Sequence, residues 1–422
     1  MLQETAGLES TSKEASPVTD SSTPAPHTRH ELAMVALSSL GHTLCHIGEL
    51  AITGALTAIR RQFDLDPRLV TSLPYLGYVL LGLGAIPTGL AVDRWGSGRV
   101  LKWYFFALTV AAALVALANS PLSLFIALTI LGTVLSVYHP AGIALLASGV
   151  RRREWALGVN GVAGSIGVAV GPFLGALWTG LGYWQGAFWT IALISLLAGY
   201  LMRPLSKPLP ISSGSKSTHD QNSVQLINRP LPWIAIALLY LCMVLGGLNY
   251  RVLVTALPIH LTGDATQAQA FAKGGLFIFA ILLAGTIGQY GSGCLAQRFG
   301  PLPIYTLAVL LMAPLAAGLA SVNHMVLTIP IAAGLAVALF AQQPVENSLL
   351  AEGTSARRWG LSYGAKFALT FGIGALGAPL VGFIWHYTAK PSIAFWLITS
   401  SGLIMLAALS VFRYLRRRFM NG

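Results

Sequence analysis

The chain has 422 residues, 55% of them hydrophobic and only 9% charged, with a mean hydropathy of +0.69. Soluble domains carry about 25% charged residues, so an ordinary soluble fold is excluded. The net charge of +12 does not indicate a nucleic-acid binder, because the positive residues cluster in short loops between apolar runs.

Residues 1–31 are rich in Ser, Thr and Pro and hold no apolar core. They read as a disordered cytoplasmic tail without a cleavable signal peptide. From residue 32 onward, apolar runs recur at about the 20-residue length a helix needs to cross a bilayer. The period-2 alternation of a transmembrane barrel is absent. Twelve spans are predicted: 32–59, 70–92, 101–119, 122–149, 156–180, 184–202, 232–260, 274–296, 302–321, 325–351, 359–386 and 391–413. The three cysteines, Cys45, Cys242 and Cys294, lie within them and imply no disulfide framework. Of the 26 Lys and Arg residues, five fall in the predicted outer loops (Arg60, Arg61, Arg68, Lys273 and Lys390) and two, Arg251 and Lys366, lie within spans. The other 19 sit in inner loops and tails if both termini are cytoplasmic. The predicted fold class is an all-α membrane protein, with twelve transmembrane helices in two pseudo-symmetric six-helix bundles. The first half covers 32–202, a polar linker 203–231, the second half 232–413 and a basic cytoplasmic tail 414–422.

The two halves repeat at an offset of 204 residues. Gly89, Arg94 and Gly96 correspond to Gly293, Arg298 and Gly300, with Asp93 replaced by Gln297. His139-Pro140 corresponds to Gln343-Pro344, and Arg153, Trp155 and Leu157 to Arg357, Trp359 and Leu361. Matches in the same order in separate regions indicate a chain built twice from one unit.

The loop between spans 2 and 3, carrying Gly89, Asp93, Arg94, Gly96 and Arg99, resembles the corresponding loop of the major facilitator superfamily. That resemblance implies an alternating-access transporter, with Asp93 and its neighbours as a charge latch at the cytoplasmic gate. Gly89 and Gly96 would allow close backbone approach, and Asp93 would pair with a basic group or cap a neighbouring helix. The bland alternative is that Arg94 and Arg99 only hold the loop inside. Span 5 carries Gly158, Gly167, Gly171, Pro172 and Gly175, which looks like the antiporter motif of the superfamily's drug exporters. Tyr138-His139-Pro140-Ala141-Gly142, together with His42 and His46, resembles the fosmidomycin-resistance-like branch of small-molecule exporters.

Span 1 places Ser38, Ser39, His42, Cys45, His46, Glu49 and Thr53 within one helical stripe, since residues advance by about 100° each. Aligning the repeats puts Glu49 beside Arg251 of span 7, which predicts an ion pair between halves. Glu346 and Lys366 are close enough in depth to pair as well. The coupling or substrate-binding residues expected are Glu49, His42, His46, Arg251, His139, Asn160, Gln343, Glu346 and Lys366. Two other readings of the span-1 stripe are a soft-metal site from His42, Cys45, His46 and Glu49, and a static polar network. A straight helix rarely converges four ligands on one ion, so no metal and no cofactor is assigned.

No nucleotide-binding loop and no nucleophile–base spacing occurs, so an enzyme is not expected. The predicted function is proton-coupled export of a small organic solute by a monomer in the cell's inner membrane. The alternatives are an importer of an anionic metabolite or a metal chelate, and a non-transporting receptor or assembly factor. Its partners are solute, protons and the lipid bilayer, not nucleic acid.

Overall fold

The computed structural model describes residues 28–151, 153–206, 231–262, 275–322, 324–353 and 359–420. Most of the expected tail (1–27) and linker (207–230) lies outside the described residues. Among those described there is no strand.

The first half comprises α1 (Arg29–Phe63), α2 (Pro67–Ser72), α3 (Tyr75–Leu83), α4 (Ala85–Trp95), α5 (Ser97–Ala116), α6 (Pro121–Leu135), α7 (Tyr138–Gly149), α8 (Arg153–Gly180) and α9 (Gly186–Leu201). The second comprises α10 (Trp233–Thr262), α11 (Leu276–Phe299), α12 (Pro301–Ser321), α13 (Met325–Phe340), α14 (Gln342–Gly353), α15 (Trp359–Gly374), α16 (Gly377–Thr388) and α17 (Phe395–Met420). Among the described residues, nine helical segments are long and apolar enough to cross a membrane, and the stretch from α2 to α4, bent by 45°, makes a tenth. Two more rods fall short for different reasons. α9 has only 16 residues, and α1 has 35 but carries the polar stripe. Counting these two as well is consistent with the expected twelve.

Helix boundaries depart from the expectation at both ends. α1 begins at Arg29, within the expected tail, because Thr28 and Glu31 form a reciprocal capping box. Glu31 is further tied to Arg151 at the α7–α8 turn by a 3.0 Å ion pair. α17 runs through the expected basic tail to Met420, with Arg416 bonded to Glu352 at 2.9 Å.

The internal repeat is visible in the backbone. Gly96 and Gly300 each end one helix and start the next. Arg94 lies 5.8 Å over the ring of Trp95, and its repeat mate Arg298 lies 5.3 Å over Phe299. α6 and α7 are separated at Ser136 and Val137, and α13 and α14 at Ala341, 204 residues after Val137.

The halves meet tightly at one end. α2 packs on α16, where Gly382 leaves no room for a side chain against Thr71 and Pro67. Asp66 pairs with His386 at 2.6 Å, and Arg60 lies 5.0 Å over Trp385. At the opposite end the packing is looser: a side chain at Gly158, Gly161, Gly291 or Gly293 would meet no described atom within 4 Å.

Candidate functional site

At the centre, Arg251 of α10 reaches into the first half. Its Nη2 donates to Glu49 Oε1 of α1 at 2.5 Å, and both side chains are buried. The guanidinium lies 3.6 Å from the ring centroid of Tyr78, a cation–π contact, and the Tyr78 hydroxyl donates to the Glu49 carbonyl at 3.3 Å. The predicted pair is therefore present, and Tyr78 of α3 forms the other wall of its socket. A buried charge is tolerated because it is paired; removing one partner typically costs about 3–5 kcal/mol. The pair thus ties the two halves together at their centre.

Three histidines gather next to Glu49. His46 Nδ1 lies 3.0 Å from Glu49 Oε2. His42 Nδ1 lies 2.7 Å from the Asn160 carbonyl of α8, which fixes Nδ1 as the donor. Asn160 also accepts from the Tyr138 hydroxyl at 2.7 Å, and the Tyr138 ring stacks on His42 at 4.8 Å. His139 sits edge-on to His42 at 5.1 Å and stacks with Phe367 of the second half at 6.0 Å. Cys45 does not share this cluster. Its Sγ donates to the Leu135 carbonyl, and Ser38 donates to the Gly142 carbonyl, so both turn toward α6 and α7. The stripe read from spacing is thus split between two neighbours, and the four-residue metal set His42, Cys45, His46 and Glu49 does not form.

The second half holds its own network. Lys366 Nζ lies 3.1 Å from Glu346 Oε2 and donates to Asn347 Oδ1 at 2.6 Å, while the Tyr305 hydroxyl donates to Glu346 Oε1 at 2.8 Å. The expected Glu346–Lys366 pair is present. Gln343 accepts from Gln289 Nε2 at 3.1 Å, and Gln289 Oε1 accepts from the Ser165 hydroxyl at 2.5 Å. That chain links α14 and α11 to α8, across the halves.

The glycine-rich motifs divide. Gly167, Gly171 and Gly175 face α1, where added side chains would strike Thr43, His46, Leu50 and Ala51, and Pro172 opposes Gly54. Gly158 has no such neighbour, so the close-packing role expected of it is absent in this arrangement. Gly89 and Gly96 also lack close neighbours, which corrects the expected backbone approach. Gly96 is required for a different reason: its φ of 83° is a conformation that side chains disfavour. Asp93, Arg94 and Arg99 are exposed, and Asp93 has no hydrogen-bond or ion-pair partner among the described residues.

Sequence reasoning placed Asn347 on one face of span 10 with Gln343 and Glu346, but missed Tyr78, Tyr305, Ser165 and Gln289. All are uncharged, and in a mostly apolar helix a lone hydroxyl or amide gives no signal until its partner is known. Tyr138 was noticed only as part of a motif.

The family model described as Major Facilitator Superfamily matches residues 38–365. The chain is 25% identical over 392 residues to the fosmidomycin resistance protein of Escherichia coli (strain K12), covering 90% of this chain and 92% of that protein. Among solved structures, it is similar to a bacterial homolog of the human lysosomal transporter Spinster in an inward-facing and occupied conformation. The TM-score is 0.75 at 13% identity, covering 93% of this chain and 98% of that one. The same homolog in an inward-facing and unoccupied conformation gives a TM-score of 0.73 at 13% identity, with the same coverage.

Proposed function

Because the chain belongs to the Major Facilitator Superfamily, we propose that it exports a small organic solute in exchange for protons, by alternating access. In this reading it works as a monomer in the cell's inner membrane with both termini cytoplasmic, as the distribution of Lys and Arg favours. The end sealed by Asp66 and His386 then faces outward, and the end that holds Asp93 faces the cytoplasm. The relation to a fosmidomycin resistance protein supports an efflux direction.

The observation that carries the reading is the buried Glu49–Arg251 pair joining the two halves at 2.5 Å. A proton on Glu49 removes the counter-charge of Arg251 and frees the halves to part at the sealed end. Loss of that proton re-forms the pair and closes it. His46, bonded to Glu49, and the neighbouring His42 and His139 lie where a proton or solute would pass. Glu346 and Lys366 make a second breakable pair in the other half.

Proteoliposomes test this. A pH gradient should drive solute against its own gradient in the antiport sense, and Glu49→Gln should abolish that accumulation while keeping solute exchange. Glu49→Asp should retain part of the activity with a shifted pH dependence. Solute uptake that needs the opposite gradient polarity would instead identify an importer. Undiminished accumulation by Glu49→Gln would remove Glu49 from the coupling role and turn attention to Glu346.

A further inference from the structure

We propose that His42, His46 and His139 form a binding site for a divalent transition cation of the zinc class. One ring nitrogen from each lies within 4.8 Å of the other two. The ring centroids form a triangle with sides of 5.0, 5.1 and 5.6 Å. His42 and His46 are four residues apart on α1, the spacing by which a helix offers two imidazoles to one zinc ion. His139 comes from α7, just beyond the break after α6.

Two further observations point to a ligand. The Nδ1 atoms of His42 and His46 are already engaged, one with the Asn160 carbonyl and the other with the Glu49 carboxylate. Metal-binding histidines are oriented in this way, with one ring nitrogen donating to a carbonyl or carboxylate and the other left for the ion. His139 Nε2 is buried with no hydrogen-bond partner among the described residues. A buried imidazole nitrogen that bonds nothing is costly, and a cation would satisfy it.

A tetrahedral zinc site sets its ligand nitrogens about 3.3 Å apart, so the rings must draw together by about 1.5 Å from their present spacing. Three nitrogen ligands leave a fourth position open for water or for a donor atom of a solute. A free ion and an ion held by a small chelator bring the same chemistry to the histidines. The inference rests on the transport reading and deepens it where a small organic chelator carries the ion; a bare ion is a ligand of the site and not the organic solute of that reading. Because it is read at equilibrium, its failure is separable from a failure of that reading.

The experiment is zinc binding to purified full-length protein in detergent, with the zinc environment read by X-ray absorption. The expected result is one zinc per chain with three imidazole ligands. The His139 ring makes no hydrogen bond among the described residues, so His139→Gln should lower zinc affinity by more than about 100-fold, beyond what loss of an outer-shell partner costs. His324→Gln, an exposed histidine elsewhere, should bind as the unmodified protein does. In a second arm, zinc presented with free histidine gives a fourth nitrogen ligand in place of water if the ion is taken as a chelate, and leaves the spectrum unchanged if it is taken bare. The site exists in either case. Absence of stoichiometric zinc, a spectrum without imidazole, or affinity unchanged in His139→Gln overturns the proposal. The absorption spectrum of the unmodified protein decides the matter even if the variant does not fold.

Discussion

Gly96 and Gly300, 204 residues apart, hold nearly the same backbone conformation: φ 83° and ψ 141° at the first, φ 83° and ψ 155° at the second. Only glycine adopts that region without strain. Neither residue is crowded, since the nearest atom to a side chain at Gly300 would be Pro303 Cδ at 3.9 Å. The cost of substitution is therefore conformational. Gly96→Ala and Gly300→Ala should each destabilise the protein by about 1–3 kcal/mol. Gly89→Ala, inside α4 and facing open space, should be neutral or stabilising by up to about 1 kcal/mol. Thermal unfolding in detergent compares them, and an equal loss at Gly89 would show that backbone approach, not φ, is what matters there.

The Glu49–Arg251 pair can be tested as a unit. Glu49→Gln or Arg251→Met alone leaves a buried group without its partner, with an expected loss of about 3–5 kcal/mol. The double variant should lose clearly less than the sum of the two. Strict additivity would mean that the two side chains are not coupled in the state measured.

Asp93 is exposed and has no partner among the described residues, so Asp93→Asn should change stability by no more than about 0.5 kcal/mol. If the latch forms in the other half of the cycle, the same variant should strongly slow transport. Gln297→Ala, in the repeat that lacks the acid, should matter much less. Transport by Asp93→Asn at the unmodified rate would exclude the latch.

Glu31 gives a pH-dependent prediction. Side-chain and backbone hydrogen bonds from Arg151 hold its carboxyl well below the usual carboxylate range. A lowered folded-state pKa contributes stability above the ordinary carboxylate value, and that contribution is lost as pH falls toward the depressed one. Glu31→Gln should therefore lower the melting temperature at neutral pH, and the gap should narrow on acidification. A gap independent of pH would assign the effect to the cap's hydrogen bonds alone.

The sequence revealed most of the fold, because bilayer length and the 204-residue repeat are strong signals. It revealed the ion pairs for a related reason: charges within spans are so few that Glu49, Arg251, Glu346 and Lys366 had few possible partners. It could not separate neighbours on one helical face. Cys45 shares an arc with His42 and His46, yet a turn of a few tens of degrees gives it to α6 and leaves the histidines facing His139. Glycines were ambiguous in another way. Gly96 and Gly171 look alike in sequence, but one serves a positive φ and the other a close helix contact. Of the Ser165–Gln289–Gln343 chain only Gln343 was legible, because its two partners are lone neutral residues on other helices.

Ionic strength acts unevenly on the sealed end. Mobile ions screen charges they can approach, over about 8 Å at physiological salt. Asp66 and His386 are 25% and 31% exposed, within reach of those ions, whereas Glu49 and Arg251, at 1% and 2%, are shielded by protein on every side. Rising salt therefore weakens the rim while leaving the central fastening at full strength. The seal is built in two layers, an outer one that responds to the medium and an inner one that does not. Mobile ions thus reach one layer of the seal and not the other.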